Sequence, residues 1–539
     1  MRPRDLTRLA SNSYDLLVVG GGVHGLTCAY EAASRGLRVA LVDAGDFGGG
    51  ASFNHQKTAH GGLRSLQSLS FGRARSTIHE RRALARIAPW LLRPLPFLAG
   101  TYRSATRGRL ALRVGFAIDQ RLGRRRNAGL EPELHLPHPR LLSRTATMKL
   151  FPGIRAASLT GGAQWYDYQM VENDRLTFAF AQAAERAGAE LASYVSAVAA
   201  VKSGADVRGM RVRDSLGGSE LEIEAQAIVN AAGAAMGEVA AMLGVSRPFP
   251  LLKAMNLVTS KRATDMALAA AGADGRMLTL VPWRGHAIVG TSQSDRAVTG
   301  SVANEVSDAE VEAFIRQANH AFPALQLTRA DVRLVHRGWV PARAAADTGA
   351  ALLPESRILD HAADGAPRAL TIVGAKYTTA RRTAERAVDL LGKKLGKRLA
   401  KSQTAATLLP GAGIADHEAL AIEHARHVGV DLPLPVIRHL IGRYAESAPA
   451  IIGLLAAEPG LAAPLAPDTP TLAAEVVHAV RNEAALRLSD VILRRTTVGA
   501  AGHPGRPILE AAAALAAREL GWSGERVREE IGDVERMYP

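Results

Sequence analysis

Residues 14–43 read YDLLVVGGGVHGLTCAYEAASRGLRVALVD. Residues 15–19 form a short apolar run behind one acid, the pattern of a strand buried on both faces. Gly20, Gly22 and Gly25 follow in G-x-G-x-x-G spacing. The first allows a tight turn, the second lets backbone approach a diphosphate, and the third lets the next helix pack on the strand. A helix starting here aims its free N–H groups and positive dipole end at an anion. Arg35-Gly36 suits its C-terminal cap. Residues 37–42 are a second apolar strand, and Asp43 stands at its end, placed to accept from a ribose hydroxyl. Strand, turn, helix, strand and acid agree on a dinucleotide site, where a bare glycine turn would need only the first two.

Working outward, residues 44–66 (AGDFGGGASFNHQKTAHGGLRSL) are rich in Gly, Ser and Asn and read as a loop. A plain nicotinamide-binding unit would start its next helix there, so the loop suggests backbone wrapped around a larger cofactor. Residues 76–88 read as a helix broken by Pro89, Pro94 and Pro96. Residues 108–123 form a basic amphipathic helix followed by three arginines, either a core helix with a solvated face or a membrane-surface contact. A helix over 176–187, a strand over 190–201 and a hairpin over 210–223 follow. Residues 227–233 (AIVNAAG) and 369–374 (ALTIVG) are two more buried strands ending in glycine, each followed by a helix. Residues 275–291 read as a hairpin turning at Arg284-Gly285, and residues 308–322 as a capped helix. From residue 410 onward the pattern is nearly all helical.

The expected fold class is therefore α/β: a discontinuous Rossmann-like cofactor domain (residues 14–100, 150–240 and 355–398), an inserted α+β substrate or cap domain (101–149 and 241–354) and a C-terminal helical domain (405–539). The 539 residues are 47% hydrophobic, as in a soluble globular chain, with no apolar run of membrane-spanning length. The opening MRPRDLTRLASNS has no apolar core, so export is not expected. Cys28 is the single cysteine, which excludes an intrachain disulfide or a cysteine metal centre and fits a reducing cytoplasm. No metal site is expected. The net charge of +15 fits a solvated basic surface, with anionic lipid or an anionic substrate as alternatives. No basic-aromatic motif supports a nucleic-acid partner.

The glycine turn, QKTAHGGLRSL, VNAAG, LVPWRGHAIVGTSQSD, IVGAKYTTARRTAE and NEAALRLSDVILRRTTVG together resemble the FAD-dependent glycerol-3-phosphate dehydrogenase family, within the D-amino-acid-oxidase-like flavoproteins. The resemblance spans nearly the whole chain. It implies a noncovalent FAD with its diphosphate at Gly20, Gly21, Gly22, Val23, His24 and Gly25, and its ribose at Asp43 and Ala44. Ala51, Ser52, Lys57, Thr58, His60, Gly61, Gly62 and Leu63 would line the flavin side. Val195, Ala232, Gly233, Gly374, Lys376, Tyr377 and Thr378 would close around the cofactor.

The implied chemistry is oxidation of a secondary alcohol to a ketone, glycerol 3-phosphate or a related polyol, with hydride passing to flavin and the hydroxyl proton to a base. Arg64, Lys376 and His60 are the candidate catalytic residues; Arg64, Asn256, His336, Arg343 and Lys376 are the candidate substrate-binding ones. The acceptor would be quinone or oxygen, with peripheral membrane contact through 108–126 or 378–401 as an option beside a cytoplasmic site, and room for a homodimer. The substrate pocket departs from the family pattern. Ser65 stands where HGGLRY has tyrosine, Asn256 where K-G-S-H has histidine, and Val340 where G-V-R-P has its phosphate-gripping arginine. Arg343, three residues on, and Arg357 are the candidate replacement cations, and Trp339 is expected to add bulk nearby. These changes point to retained flavin chemistry on an altered substrate. The competing readings are an amine or amino-acid oxidase of the same fold and a non-catalytic flavin-binding protein.

Overall fold

The computed structural model describes residues 1, 4–63, 70–104, 108–204, 206–300, 305–343, 350–413 and 417–539. At its centre is a six-stranded sheet in the order Arg357–Asp360, Ala369–Val373, Ile228–Asn230, Leu16–Val19, Val39–Val42, Glu190–Ala192. All neighbours are parallel except the first pair. Every residue of Leu16–Val19 and Val39–Val42 is buried, as apolar strands covered on both faces require. The chain leaves this sheet after Val42 and returns at Glu190, Ile228 and Arg357, so the cofactor domain is discontinuous as expected.

The helix Val23–Ser34 packs against Asn173–Arg186 and Ala380–Lys394. Ala29, Ala32 and Ala33 on it meet Ala181, Ala184, Ala384 and Ala387 in one core. Small side chains let three helix backbones approach over one face of the sheet. The apolar stripe of Ala380–Lys394 (Ala380, Ala384, Ala387, Val388, Leu391) is thereby buried. It is core, which removes the membrane reading of residues 378–401.

The larger sheet has ten strands, chief among them Leu92–Tyr102, Leu159–Met170, Leu251–Thr259, Met277–Trp283, His286–Gln293 and Val332–Arg343. The boundaries read from sequence put residues 92–100 and 159–170 with the cofactor domain; their hydrogen bonds place them in this second sheet instead. The hairpin turns at Arg284 and Gly285, both at positive φ. The helix Asp308–Ala321 covers the sheet's outer face and starts with a capping box, Ser307 and Glu310 each bonding the other's amide. A four-stranded sheet holds the expected hairpin as Asp206–Asp214 and Glu220–Ala225. The residues read as one strand over 190–201 are two, Glu190–Ala192 and Val195–Ser203, in different sheets. From His417–His427 to Gly524–Glu535 the chain is helical around two apolar clusters. Leu493 and Ala500 pack against Phe53, Trp283 and Leu334 and so join this domain to the large sheet.

Candidate functional site

The glycine turn is built for close approach. Gly20 lies at φ +109°, and a Cβ there would stand 2.5 Å from the Ala231 carbonyl oxygen. A Cβ on Gly25 would stand 1.8 Å from the Gly20 carbonyl oxygen. No side chain fits at either place, so the helix start lies directly against the strand end. The Asp43 carboxylate accepts from the Gly21 amide at 2.5 Å and the Gly45 amide at 2.7 Å. Burial nevertheless pushes Asp43 up to about 6. Ser52 accepts from the Val23 amide at 2.9 Å, tying the glycine-rich loop to the helix N-terminus. Ala44 and Ala51 are exposed on that loop, and the Val195 amide donates to the Asp43 carbonyl at 2.7 Å.

His24, on the first turn of the helix, faces the returning strand. A Cβ on Gly374 would lie 2.6 Å from its ring, so only glycine fits there. Burial lowers His24 to about 4, which leaves it neutral, and its Nε2 lies 3.2 Å from the Ser356 hydroxyl. Gly233, at φ +59°, and Ala232 form the second strand-end turn. The turn Gly374 to Thr378 precedes the helix Ala380–Lys394, with Lys376 in extended conformation and Tyr377 bonded to Thr177 at 2.9 Å.

The loop 57–63 meets that turn: the His60 amide donates to Thr378 Oγ1 at 3.1 Å. The His60 ring is held on both sides, Nε2 lying 2.8 Å from Thr58 Oγ1 and Nδ1 3.4 Å from Asp167 Oδ2. Its side chain is half exposed. Asp167 is buried and also accepts from the Gly61 amide at 2.6 Å and from the Arg81 guanidinium. Burial alone would raise Asp167, but Arg81 overrides it and holds the carboxyl below its usual range. Arg81 also fills the space beside Gly61, as Thr77 does beside Gly62. Lys57 is fully buried, its ammonium bonded to the Phe53 carbonyl and 4.3 Å and 5.4 Å from the Phe53 and Trp283 ring centres. Burial lowers it to about 8.

On the large sheet, Thr279, Gly290, Asn256 and His336 form one cross-strand row. Asn256 Oδ1 accepts from Thr291 Oγ1 at 2.8 Å, and Gln56 Oε1 accepts from Thr279 Oγ1 at 2.6 Å. A Cβ on Gly290 would fall 1.9 Å from Asn256 Oδ1, so the glycine makes room for the amide. Strand alternation sets Val340 on the Asn256–His336 face and Trp339 and Arg343 on the other. Trp339 therefore packs beside Lys253, 6.0 Å from its ammonium, and adds no bulk to this row. Arg343 and Arg357 are exposed at strand ends and are not brought to it. Arg64 and Ser65 lie outside the described residues.

The glycine turn, Asp43, the loop 51–63 and the turns at Gly233 and Gly374 thus converge on one cradle of backbone amides and small residues. It suits an extended FAD: amides for the diphosphate and a carboxylate for the ribose. Three contacts around the site have no sequence counterpart: Asp167 behind His60, Gln56 on Thr279, and Asp46 held by Arg494 and Arg495. The last had one visible signal, the adjacent arginines 494 and 495 inside an otherwise apolar helix.

A family profile described as an FAD dependent oxidoreductase matches residues 15–390, and one described as the C-terminal domain of alpha-glycerophosphate oxidase matches residues 402–527. The chain is 31% identical to glycerol-3-phosphate dehydrogenase 2 of Mycobacterium tuberculosis over 98% of its own length and 88% of that protein's. It is 30% identical to the glycerol-3-phosphate dehydrogenase of a Synechocystis species, covering 98% and 97%. A solved glycerol-3-phosphate dehydrogenase from Bacillus halodurans, complexed with FAD, has the same fold, with a TM-score of 0.75 at 22% identity over 98% of this chain and 95% of that one.

Proposed function

The chain belongs to the FAD-dependent glycerol-3-phosphate dehydrogenase family of oxidoreductases, and from that premise we propose that it oxidises a secondary alcohol of the glycerol 3-phosphate type to the ketone. FAD, when bound, accepts the two electrons and the carbon-bound hydrogen. The observation that carries the reading is the junction of His60 and Thr378, which sets the His60 ring and Lys376 on adjoining turns of one cradle.

His60 takes the hydroxyl proton. Asp167 orients its ring from Nδ1, which leaves Nε2 as the basic nitrogen, and the Thr58 hydroxyl on Nε2 relays the proton by giving its own to the ring and taking the substrate's. The Lys376 ammonium lies beside the oxygen that gains negative charge, where a cation stabilises the transition state more than the ground state. Arg64, the residue after Leu63 in sequence, is the candidate to grip an oxygen of the substrate through its fork. Asn256 carries no titratable proton, and its amide oxygen is already engaged by Thr291. Val340 offers no charge on the face it shares with Asn256. The substrate is therefore met by fewer cations on this face than the family pattern supplies, which supports an alcohol anchored differently from glycerol 3-phosphate in that family.

Electrons leave to quinone or oxygen, and a peripheral membrane contact supports the quinone route. Among the described residues no helix is long and apolar enough to cross a membrane. The helix Arg109–Leu122, however, exposes Leu110 (76%) and Val114 (55%). Beside it lies an open groove of about 720 Å³ lined by Arg75, His79, Arg82, Arg121, Arg124 and Arg125. Exposed apolar side chains near one end of the helix and a cluster of cations at the other suit an anionic lipid surface. The function is tested by anaerobic mixing of the flavoprotein with glycerol 3-phosphate and a panel of polyols and phosphorylated alcohols, read by flavin bleaching. Bleaching by an alcohol of this class is expected. Fast bleaching by glycerol 3-phosphate at modest concentration would overturn the altered-substrate reading, and no bleaching by any alcohol would overturn the activity.

A further inference from the structure

The loop that carries Asp43 does not rest on the six-stranded sheet alone. Asp46, three residues further on and buried, is met by two guanidiniums from the C-terminal domain. Arg495 bonds both carboxylate oxygens, at 2.9 Å and 2.7 Å, and Arg494 Nε donates to Oδ2 at 2.5 Å. Arg494 also pairs with Asp490 at 2.7 Å, and the Tyr194 hydroxyl donates to the same Asp490 oxygen at 2.6 Å. The Tyr194 amide donates to the Gly45 carbonyl at 3.0 Å, so this branch too ends on the loop. Arg495 is fixed in turn: its Nε donates to the Glu483 carbonyl at 3.0 Å, and its own carbonyl accepts from Arg175 and Arg443.

On its other side the loop lies on the glycine turn. The Gly48 amide donates to the Gly21 carbonyl at 2.9 Å, and Asp43 accepts from the Gly21 amide. Hydrogen bonds on both sides of the short segment 43–48 therefore link residues 483–495 to the turn that receives the diphosphate. Burial would raise Asp46, but Arg495 and Arg494 outweigh it and keep the carboxyl ionised. A buried ionic cluster is a poor way to gain stability, since apolar packing of the same volume does as well. What a two-pronged guanidinium adds is direction: it fixes a carboxylate in plane and in distance.

We infer that the C-terminal helical domain is part of the cofactor site, with Arg494 and Arg495 as positioning residues that hold Asp43 and Gly21, through Asp46, in the geometry that receives the adenosine half of FAD. The inference rests on the FAD assignment above. It gives the C-terminal domain a role in cofactor retention, at a distance from the turn that bears Lys376.

The test is titration of FAD into apoprotein, read by flavin fluorescence, for wild type, Asp46→Asn and Arg495→Lys. Both variants are expected to bind FAD at least tenfold more weakly, with the KM for the alcohol unchanged once FAD is saturating. Arg495→Lys keeps the charge and loses the fork, so it would restore affinity if charge alone mattered. A merely structural role would lower the apoprotein melting temperature and leave the Kd of the folded protein within twofold, and that result overturns the inference. Wild-type apoprotein that takes up no FAD would overturn the cofactor assignment, and the inference with it. Should the variants fail to fold, amide exchange on wild type decides. Binding coupled to the clamp must slow exchange in residues 487–499 when FAD is added. Protection confined to residues 20–48 overturns it.

Discussion

Asn256 and His336 sit directly opposite each other on neighbouring antiparallel strands, and His336 is fully buried with neither ring nitrogen hydrogen-bonded among the described residues. The His55 backbone is a polar neighbour but stands outside hydrogen-bonding geometry. Burial first, and then the Lys57 charge, lower His336 well below its ordinary value, so it is a neutral ring set edge-on to Phe53 at 5.2 Å. A buried imidazole with two orphan nitrogens costs roughly 1–3 kcal/mol against an apolar group of the same shape. His336→Phe is therefore expected to keep or raise the melting temperature. If the ring's polar edge faces substrate, the same variant raises KM for the alcohol while kcat holds. A lower melting temperature with unchanged KM would mean that the histidine serves packing alone.

The proton route makes a separate demand. His60→Asn removes the base and is expected to slow flavin reduction by about 10²–10⁴-fold while FAD affinity stays near wild type. Asp167→Asn keeps the ring but loosens its aim, and about a tenfold loss is expected. Lys376→Met removes the cation beside the developing oxyanion and is expected to cost about 10²–10³-fold. Anaerobic stopped-flow at saturating substrate separates the three. A His60→Asn enzyme reduced at the wild-type rate would remove His60 from the mechanism.

Asp43 gives the cofactor affinity a defined pH dependence. In the folded apoprotein burial places this carboxyl at about 6, above the ordinary 3.8. A ribose hydroxyl donates to the ionised form, so bound FAD lowers that value, and affinity falls as pH drops through 6. The expected slope approaches tenfold in Kd per pH unit below that point. Folding of the apoprotein has the opposite sign. The folded chain holds this proton where the unfolded chain has lost it, so Asp43 contributes most below about pH 3.8, and that contribution is lost as pH rises through about 6. FAD titrations from pH 5 to 8 on wild type and Asp43→Asn check both: the variant is expected to bind weakly with no inflection near pH 6.

The sheet around Leu16–Val19 was legible because apolar periodicity and glycine spacing are local signals. The cradle was legible for the same reason: each of its turns follows a buried strand that ends in glycine. Leu92–Tyr102 was not, since Pro94 and Pro96 read as breakers. The strand tolerates them because they lie two residues apart and so send their missing donors to one edge, where pairing with Ala267–Ala271 begins only at Phe97. The clamp on Asp46 joins residues 449 positions apart, and no window of sequence contains both partners. The substrate face was legible only in part. Alternation along Val332–Arg343 puts Arg343 on the opposite face from Val340, a fact that depends on which residue of the strand faces in.

The surroundings of residues 109–126 separate membrane contact from a solvated basic surface. Arg124 and Arg125 form no ion pair with any described residue, and Leu110 and Val114 stand one helical turn apart on the exposed side. Charge alone would bind anionic vesicles weakly and release them in salt. Inserted leucine and valine side chains add an apolar part that salt does not screen. The expected result is co-sedimentation with vesicles containing anionic lipid, only partly reversed at 0.5 M salt on the order of the screening that removes surface charge attraction. Leu110→Glu combined with Val114→Glu should abolish the salt-resistant fraction and leave flavin content and alcohol-driven bleaching unchanged, since both side chains point away from the cradle. A double variant that still sediments with vesicles in salt would show that this helix is not the contact.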